Sequence, residues 1–241
     1  TAEQEQYVLN RRLSKDQLIK IMVRTKSKNK NVSGLPIMAR FTSGAGKVHP
    51  DYITDEKGEA TILLSSIRSK EVKQVITMIL DINKLTPQET EKKKYEFLLK
   101  GLQIPQKELY FQIQKPVVYM ESVEKKFGVP LNTTQIAEKI KQILTEEGFA
   151  FGRIKDQADL WVEVVTDTEK GKSSGSIFIT YLTLNINVID QKSGAEIHHT
   201  GIDRFKAYSL NFEKSSQSGY DKALEILEKE TMPQLIEEIL E

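Results

Sequence analysis

The sequence predicts an α+β protein built from two modules, a small antiparallel β-sandwich followed by a domain in which two helices cover an antiparallel sheet. Short runs of β-branched and aromatic residues, separated by turn signals, fill the first half. In the second half a helical pattern, several strand patterns and a closing helical pattern follow one another. The charge is also divided. Residues 1–115 contain 21 Lys and Arg against 13 Asp and Glu, a net +8, whereas residues 116–241 contain 14 against 21, a net −7.

The predicted domain boundaries follow these changes in pattern. Residues 1–16 are interpreted as a short leading helix or linker, residues 17–120 as the sandwich, and residues 121–241 as the second domain. A helical insertion is predicted at 86–100, because Thr86 begins a capping box with a proline at the first helical position. Residues 115–132 are predicted to be a connector between the domains.

Five strands are predicted in the sandwich, at residues 18–23, 35–41, 52–66, 72–82 and 108–114. The first two are expected to form a hairpin around a lysine-rich loop. Pro36, near the start of the second strand, predicts an edge position, because proline cannot donate a ladder hydrogen bond.

The second domain is predicted to begin with a helix from Asn132 or Thr133 to Gly148. Its clearest strand, residues 177–189, alternates between an apolar face and a face that contains Thr183, Asn185 and Asn187. A closing helix is predicted from Ser218 to Leu240, with a kink or a new start at Pro233.

Composition excludes several kinds of function. The chain has no cysteine, which excludes disulfides, thiolate catalysis and cysteine-ligated metal sites. It also has no apolar run of the length that a membrane-spanning helix needs. Because the chain begins at Thr1 without a leader, we expect a fragment or a processed form.

No residue pattern in the chain predicts a reaction, and we expect neither a cofactor nor a metal. The stretch 43–49 lacks the first glycine and the final Ser or Thr of a P-loop. His198 and His199 are neighbours on a predicted strand, so they should point to opposite faces and cannot easily bind one ion. Trp161 is interpreted as a core or subunit-interface residue.

The turn at 54–58 is the remaining candidate site. Its acidic residues do not match the spacing of a calcium loop, since the twelfth residue counted from Asp55 is Ser66 and not a glutamate. As a tight turn the same residues make sense, because Asp55 can bond its own backbone and Gly58 tolerates positive φ.

A basic excess marks the amino-terminal module. Residues 11–47 contain ten Lys and Arg and a single acidic residue, Asp16. The candidate contact residues for an anionic surface are Arg24, Lys26, Lys28 and Lys30. Such a surface could be cell-wall polymer, lipopolysaccharide or nucleic acid, and the alternative is a loop that is simply solvated. Nucleic acid is disfavoured, because residues 25–33 contain no aromatic side chain on which a base could stack.

Residues 18–66 resemble the bacterial Ig-like repeats of invasin and intimin type. In those repeats a strand, a loop ending in Val-x-Gly-x-Pro, a strand ending in Phe, and Thr-Asp-x-x-Gly-x-Ala before an apolar strand follow in that order. The matching positions are Val32, Gly34, Pro36, Phe41, Thr54, Asp55, Gly58 and Ala60. The helical insertion departs from the pattern, and a transthyretin-like regulatory domain shares the Thr-Asp-x-x-Gly signal. In both families these residues shape turns.

Residues 132–240 are similar to α+β domains of bacterial envelope lipoproteins. Examples are the penicillin-binding-protein activator lipoproteins, the curli-secretion lipoprotein and the TolB amino-terminal domain. Their pattern is matched by Glu146–Phe149, Ala158–Asp159, the strand 177–189, Val188–Gly194 and the helix 220–240.

The two resemblances imply a non-enzymatic protein that is periplasmic or associated with the outer membrane, as part of a lipoprotein. The sandwich would act as a spacer or adhesive unit, and the second domain would bind an envelope protein partner or assemble a complex. The alternative function is binding of an anionic polymer through the basic face of the amino-terminal domain.

Overall fold

The computed structural model describes residues 6–13, 17–22, 30–85 and 104–240. The chain divides into two compact units, one made up mainly of the residues up to Gln114 and one that spans Lys115–Ile239. Sheets with mostly antiparallel pairing dominate, and helices occur in the second unit, so the predicted α+β class is confirmed. The predicted helix at 86–100 lies outside the described residues.

Eight strands make up the described part of the first unit. They are β1 (Gln6–Asn10), β2 (Gln17–Met22), β3 (Pro36–Ser43), β4 (Gly46–Val48), β5 (Asp51–Ile53), β6 (Glu59–Ile67), β7 (Lys73–Leu80) and β8 (Gln106–Gln114). One sheet has the order β1-β8-β7-β3-β5 and the other has the order β2-β6-β4. Apolar side chains of both sheets are buried in one cluster, which makes the unit a sandwich.

The predicted hairpin of β2 and β3 is wrong, because the two strands lie in different sheets. Ile19 and Ile21 of β2 are buried in the same cluster as Ile37 and Ala39 of β3. Each strand therefore contributes an apolar face to the core, and a core between two sheets buries more of that surface than a two-stranded hairpin would.

Two further predictions in this unit are corrected. Residues 6–10 form a strand, where a helix or linker was predicted, and pair in parallel with β8, where Tyr7 stacks on Phe111 with ring centroids 5.4 Å apart. Strand β3 is not an edge, because β7 and β5 flank it. Pro36 is tolerated since it is the first residue of the strand.

The turn at 54–58 forms as predicted. Asp55 Oδ1 accepts hydrogen bonds from the backbone N–H groups of Lys57 (2.9 Å) and Glu59 (2.8 Å), and Gly58 has φ +72°. The buried Thr54 hydroxyl donates to Val32 O at 2.8 Å and accepts from Leu35 N at 2.9 Å. The turn residues thus attach β5 to the loop before β3, and they have a structural role.

Six strands form the sheet of the second unit. They are β9 (Val117–Lys126), β10 (Val129–Pro130), β11 (Ala150–Phe151), β12 (Leu160–Ser174), β13 (Ile177–Asp190) and β14 (Glu196–Ser209). The order is β10-β9-β12-β13-β14, and β11 pairs with β9. Strands β12 to β14 form the predicted antiparallel meander, whereas β9 is parallel to β12, so the sheet is mixed.

Strand β9 lies where the sequence predicted a connector. Its partner β12 is distant in the sequence, and its charged residues conceal an alternation in which Val118 and Glu124 are buried. Local pattern does not reveal a strand whose pairing depends on a parallel neighbour this far away.

Helices α1 (Gln135–Glu146) and α2 (Phe212–Ile226) pack on one face of the sheet, and α3 (Met232–Leu240) ends the described chain. Strand β13 presents Leu182, Leu184, Ile186 and Val188 to this covered face, as its alternation predicted. A single π-helical turn, Leu227–Thr231, separates α2 from α3, so a new helical segment starts just before Pro233.

Helix α2 begins six residues earlier than the predicted Ser218 start, at an N-cap formed by Asn211, whose side chain accepts from Lys214 N at 2.8 Å. The additional turns are polar in sequence but buried in the structure. Ser215 and Ser216 pair their hydroxyls with Thr180 and Thr168 of the sheet, at 2.9 and 3.0 Å. These pairings satisfy buried hydroxyls over a long sequence separation, which explains why the helix start was misplaced.

Candidate functional site

The predicted anionic-surface residues are only partly within the described chain. Lys30 is exposed, and Arg24, Lys26 and Lys28 lie outside the described residues. Binding of an anionic polymer through these four residues therefore stays a prediction.

The two adjacent histidines point to opposite faces of β14, as predicted. His198 Nδ1 lies 2.5 Å from Glu238 Oε2 of α3, and His199 Nδ1 lies 2.5 Å from Asn187 Oδ1 of β13. Across the described ranges, no three His, Asp or Glu side chains are grouped in a way that could hold a metal ion. Each histidine instead connects its strand to a neighbouring element.

The second face of the sheet is the strongest candidate for a binding surface. Neither α1 nor α2 packs on it, because the residues that these helices contact are on the other side of the strands. We call it the open face and define it by Tyr119, Glu121, Val123, Trp161, Glu163, Val165, Thr183, Asn185, Asn187 and His199. These side chains are exposed or half-buried, whereas their neighbours along each strand are mostly buried.

A polar row crosses the open face from β9 to β14. The strand registers place Glu121 beside Glu163, Glu163 beside Asn187, and Asn187 beside His199. Neighbouring strands are about 4.8 Å apart, so the four side chains form one continuous strip. Two glutamates directly opposite each other repel and weaken strand pairing. Folding alone does not favour this arrangement.

Aromatic rings border the row on one side. Tyr119 and Trp161 are paired across β9 and β12, two residues before Glu121 and Glu163. The Tyr119 hydroxyl donates to Glu121 Oε1 at 3.1 Å. That hydrogen bond and the charge of Glu121 raise the pKa of Tyr119. Trp161 is half-buried on this face with the Lys155 ammonium over its ring, so it is not a core residue, and the alternative of a subunit-interface residue stays a prediction.

Several polar groups of the open face have no hydrogen-bond partner in the part of the chain that the structure describes. Among the described residues, the side chains of Glu163, Thr183 and Asn185 make no hydrogen bond or ion pair, and Trp161 Nε1 is buried without an acceptor. Half-buried polar groups normally find a partner, and water or a ligand takes this role when the protein does not. Asparagine is also depleted in strands, yet two occupy the middle of β13.

Together these groups can bind a polar surface without covalent chemistry. The carboxylates accept, the indole donates, the amides do both, and the rings offer apolar area. Sequence reasoning placed Thr183, Asn185 and Asn187 on one face but did not identify the face as a site. The signal that could have identified it is the pair of asparagines in a long alternating strand.

In the part of the chain that the structure describes, no helix is long and apolar enough to cross a membrane.

No known protein family model matches the chain, and no curated protein matches it. Among solved structures it is similar to the D0–D1 domain of intimin, at 9% identity and TM-score 0.30, over 84% of this chain and 96% of that one. A lipoprotein from Neisseria meningitidis matches at 9% identity and TM-score 0.34, over 52% of this chain and 99% of that one. A homologue of the neuraminyllactose-binding hemagglutinin from Helicobacter pylori matches at 17% identity and TM-score 0.31, over 50% and 86%.

These structures include an intimin domain and a bacterial lipoprotein, the two groups that the sequence resembles. All three TM-scores are below 0.5, so these similarities support no inference about fold or function.

Proposed function

We propose that the chain is a non-enzymatic protein of the bacterial cell envelope that binds a protein partner through the open face of its second unit. The observation that carries this proposal is a set of polar side chains without a partner among the described residues, Glu163, Thr183 and Asn185, on a sheet face that no helix of the unit covers. The proposed localisation in the cell envelope rests on the two sequence resemblances.

The physical case for a protein partner is the mixture of groups on the face. Exposed Val123 and Val165 provide apolar area in the middle of the sheet, and Tyr119 and Trp161 provide aromatic area at one side. Polar groups of both hydrogen-bonding senses surround them. Aromatic anchors within a polar surface are typical of protein–protein interfaces.

Site-specific photo-crosslinking in the native bacterium tests the proposal. A benzophenone amino acid at position 165 should give a crosslinked product with a partner protein. The same group at Lys141, which is exposed on the outer side of α1, is the matched control and should give none. Reversal of both charges of the polar row, Glu121→Lys with Glu163→Lys, should remove the product from position 165. Equal products from positions 165 and 141, or none from either, would overturn the assignment of the open face.

Cell fractionation tests the proposed localisation separately. The native protein should be found in the envelope or periplasmic fraction. Recovery in the cytosol would contradict the envelope assignment even if the crosslink is observed.

A further inference from the structure

One end of the second unit collects three chain connections. Strands β9 and β12 run in parallel and end there, and Phe127 N after β9 donates to Thr168 O of β12 at 2.9 Å. The β12–β13 hairpin turns at the same end, because β13 is antiparallel to β12. Since β14 is in turn antiparallel to β13, the connection from Ser209 to α2 is at this end too.

Aromatic side chains fill the helix side of this end. The ring of Phe212 lies 4.9 Å from that of Phe178 and 6.5 Å from that of Phe127. The ammonium of Lys170 lies 4.8 Å from the centre of the Phe127 ring and 5.5 Å from that of Phe212. These rings close the end of the core and leave a cation at its rim.

The other side of this end exposes large apolar side chains that the core does not use. Ile177 is 53% exposed, Tyr208 is 68% exposed and Leu210 is 68% exposed. Tyr208 pairs with Ile179, and Ser209 pairs with Phe178, so Leu210 comes next to the strand start at Ile177. Contiguous exposed apolar side chains of this kind mark contact surfaces, and we call these three the apolar end.

The strand ends and the helix start near the apolar end carry exposed lysines. Lys172, Lys206 and Lys214 are exposed and form no ion pair with any carboxylate of the described residues. Two carboxylates of this end are already paired, Glu169 with Arg204 at 2.6 Å and Glu213 with Lys126. Cations around a tyrosine, a leucine and an isoleucine complement a surface that is anionic outside and apolar just beneath.

We propose that the apolar end is a peripheral contact site for an anionic lipid bilayer, with Tyr208 and Leu210 at headgroup depth and the lysines on the lipid phosphates. Charge complementarity selects this occupant, because unpaired lysines near an anionic leaflet each add attraction and tyrosine favours the interfacial layer. The contact lies outside the residues that define the open face and does not depend on the protein partner.

Co-sedimentation with vesicles tests this inference. The intact chain is mixed with vesicles of phosphatidylglycerol and phosphatidylcholine, or with vesicles of phosphatidylcholine alone, at increasing sodium chloride. Binding to the anionic vesicles should exceed binding to the neutral ones and should fall as salt rises. Absence of binding to the anionic vesicles at low salt overturns the proposal.

Matched variants separate the apolar and the charged contributions. The double variant Tyr208→Ser, Leu210→Ser should lower the vesicle partition coefficient by roughly tenfold or more. Ile154→Ser, at a residue that is 54% exposed and away from this end, should leave it unchanged. Lys172→Glu should lower it by at least about fivefold, whereas Lys141→Glu, with the same change in net charge, should have a clearly smaller effect.

All the substituted side chains are exposed, so each variant should keep the wild-type circular dichroism spectrum and melting temperature. A double variant that binds as tightly as the wild type overturns the inference. So does self-association that disappears in the double variant while vesicle binding is absent, because the apolar end would then be a contact with a second copy of the chain.

Discussion

The carboxylate of Glu124, buried at the end of β9, accepts a hydrogen bond of 2.9 Å from the backbone N–H of Ala137 in the first turn of α1. It also accepts from Ile136 N at 3.3 Å. Thr134, the N-cap residue of this helix, makes no capping hydrogen bond with its side chain. The side chain of a strand residue therefore accepts the hydrogen bonds that an N-cap side chain normally accepts, and these bonds attach α1 to the sheet.

The first prediction is that Glu124→Ala destabilises the protein far more than Thr134→Ala does. Removal of the carboxylate leaves two buried N–H groups without an acceptor, which costs about 1–3 kcal/mol. The threonine side chain satisfies no backbone donor, so its removal should change the free energy of unfolding by less than about 0.5 kcal/mol. Urea unfolding followed by circular dichroism measures both. Equal losses would show that the carboxylate is not the cap.

The second prediction concerns pH. Burial raises the pKa of Glu124 above its ordinary value of 4.5, against the opposing effect of the backbone hydrogen bonds from Ala137 and Ile136. The folded protein thus keeps this proton to higher pH than the unfolded chain does. The contribution of Glu124 to stability is complete below 4.5 and declines as the pH rises through the raised pKa.

Glu124→Gln cannot titrate and is the reference for this effect. The free energy of unfolding of the wild type relative to this variant should fall as the pH rises above about 4.5 and then level off. Urea unfolding at several pH values between about 4 and 7 tests whether this relative free energy of unfolding falls or rises with pH. A relative stability that rises with pH would mean that the hydrogen bonds outweigh the burial.

Local pattern predicted those parts of the fold that depend on near neighbours in the sequence. The alternation of β13 predicted which residues, such as Leu184 and Asn185, face in opposite directions. The Asp55 turn and the Gly148 end of α1 were predicted for the same reason, since Gly148 has φ +83° and each signal is complete within a few residues.

The rest depends on partners that are distant in the sequence. Strand β9 is recognisable as a strand only beside β12, and the start of α2 makes sense only when Ser215 meets Thr180. The polar row was unpredictable for this reason, because Glu121 lay in a predicted connector while Asn187 and His199 lay on later strands. The residue types indicate a polar face on β13, but identification of the strands that lie beside β13 requires the topology of the sheet.

The third prediction is that the Thr54 hydroxyl, at a position of the Ig-like signature, is a structural requirement. Thr54→Val keeps the size of the side chain but leaves Val32 O and Leu35 N without their partner, which should cost about 1–3 kcal/mol of unfolding free energy. Thr61→Val, at an exposed position on β6, is the matched control and should be within about 0.5 kcal/mol of the wild type. Thermal and urea unfolding measure the difference, and a neutral Thr54→Val would remove the structural explanation of the signature.

The fourth prediction separates folding from binding at the centre of the open face. Asn185→Thr replaces a residue that is depleted in strands by one that is favoured, next to Gly201, where even a Cβ atom would lie 2.8 Å from Asn185 Oδ1. Asn185 has no protein partner among the described residues, so the change should raise the free energy of unfolding by up to about 1 kcal/mol. The same change should weaken the crosslink from position 165. Urea unfolding and the crosslinked fraction are measured on the same variant. A loss of stability would mean that Asn185 serves the fold, and an unchanged crosslink would place the partner elsewhere.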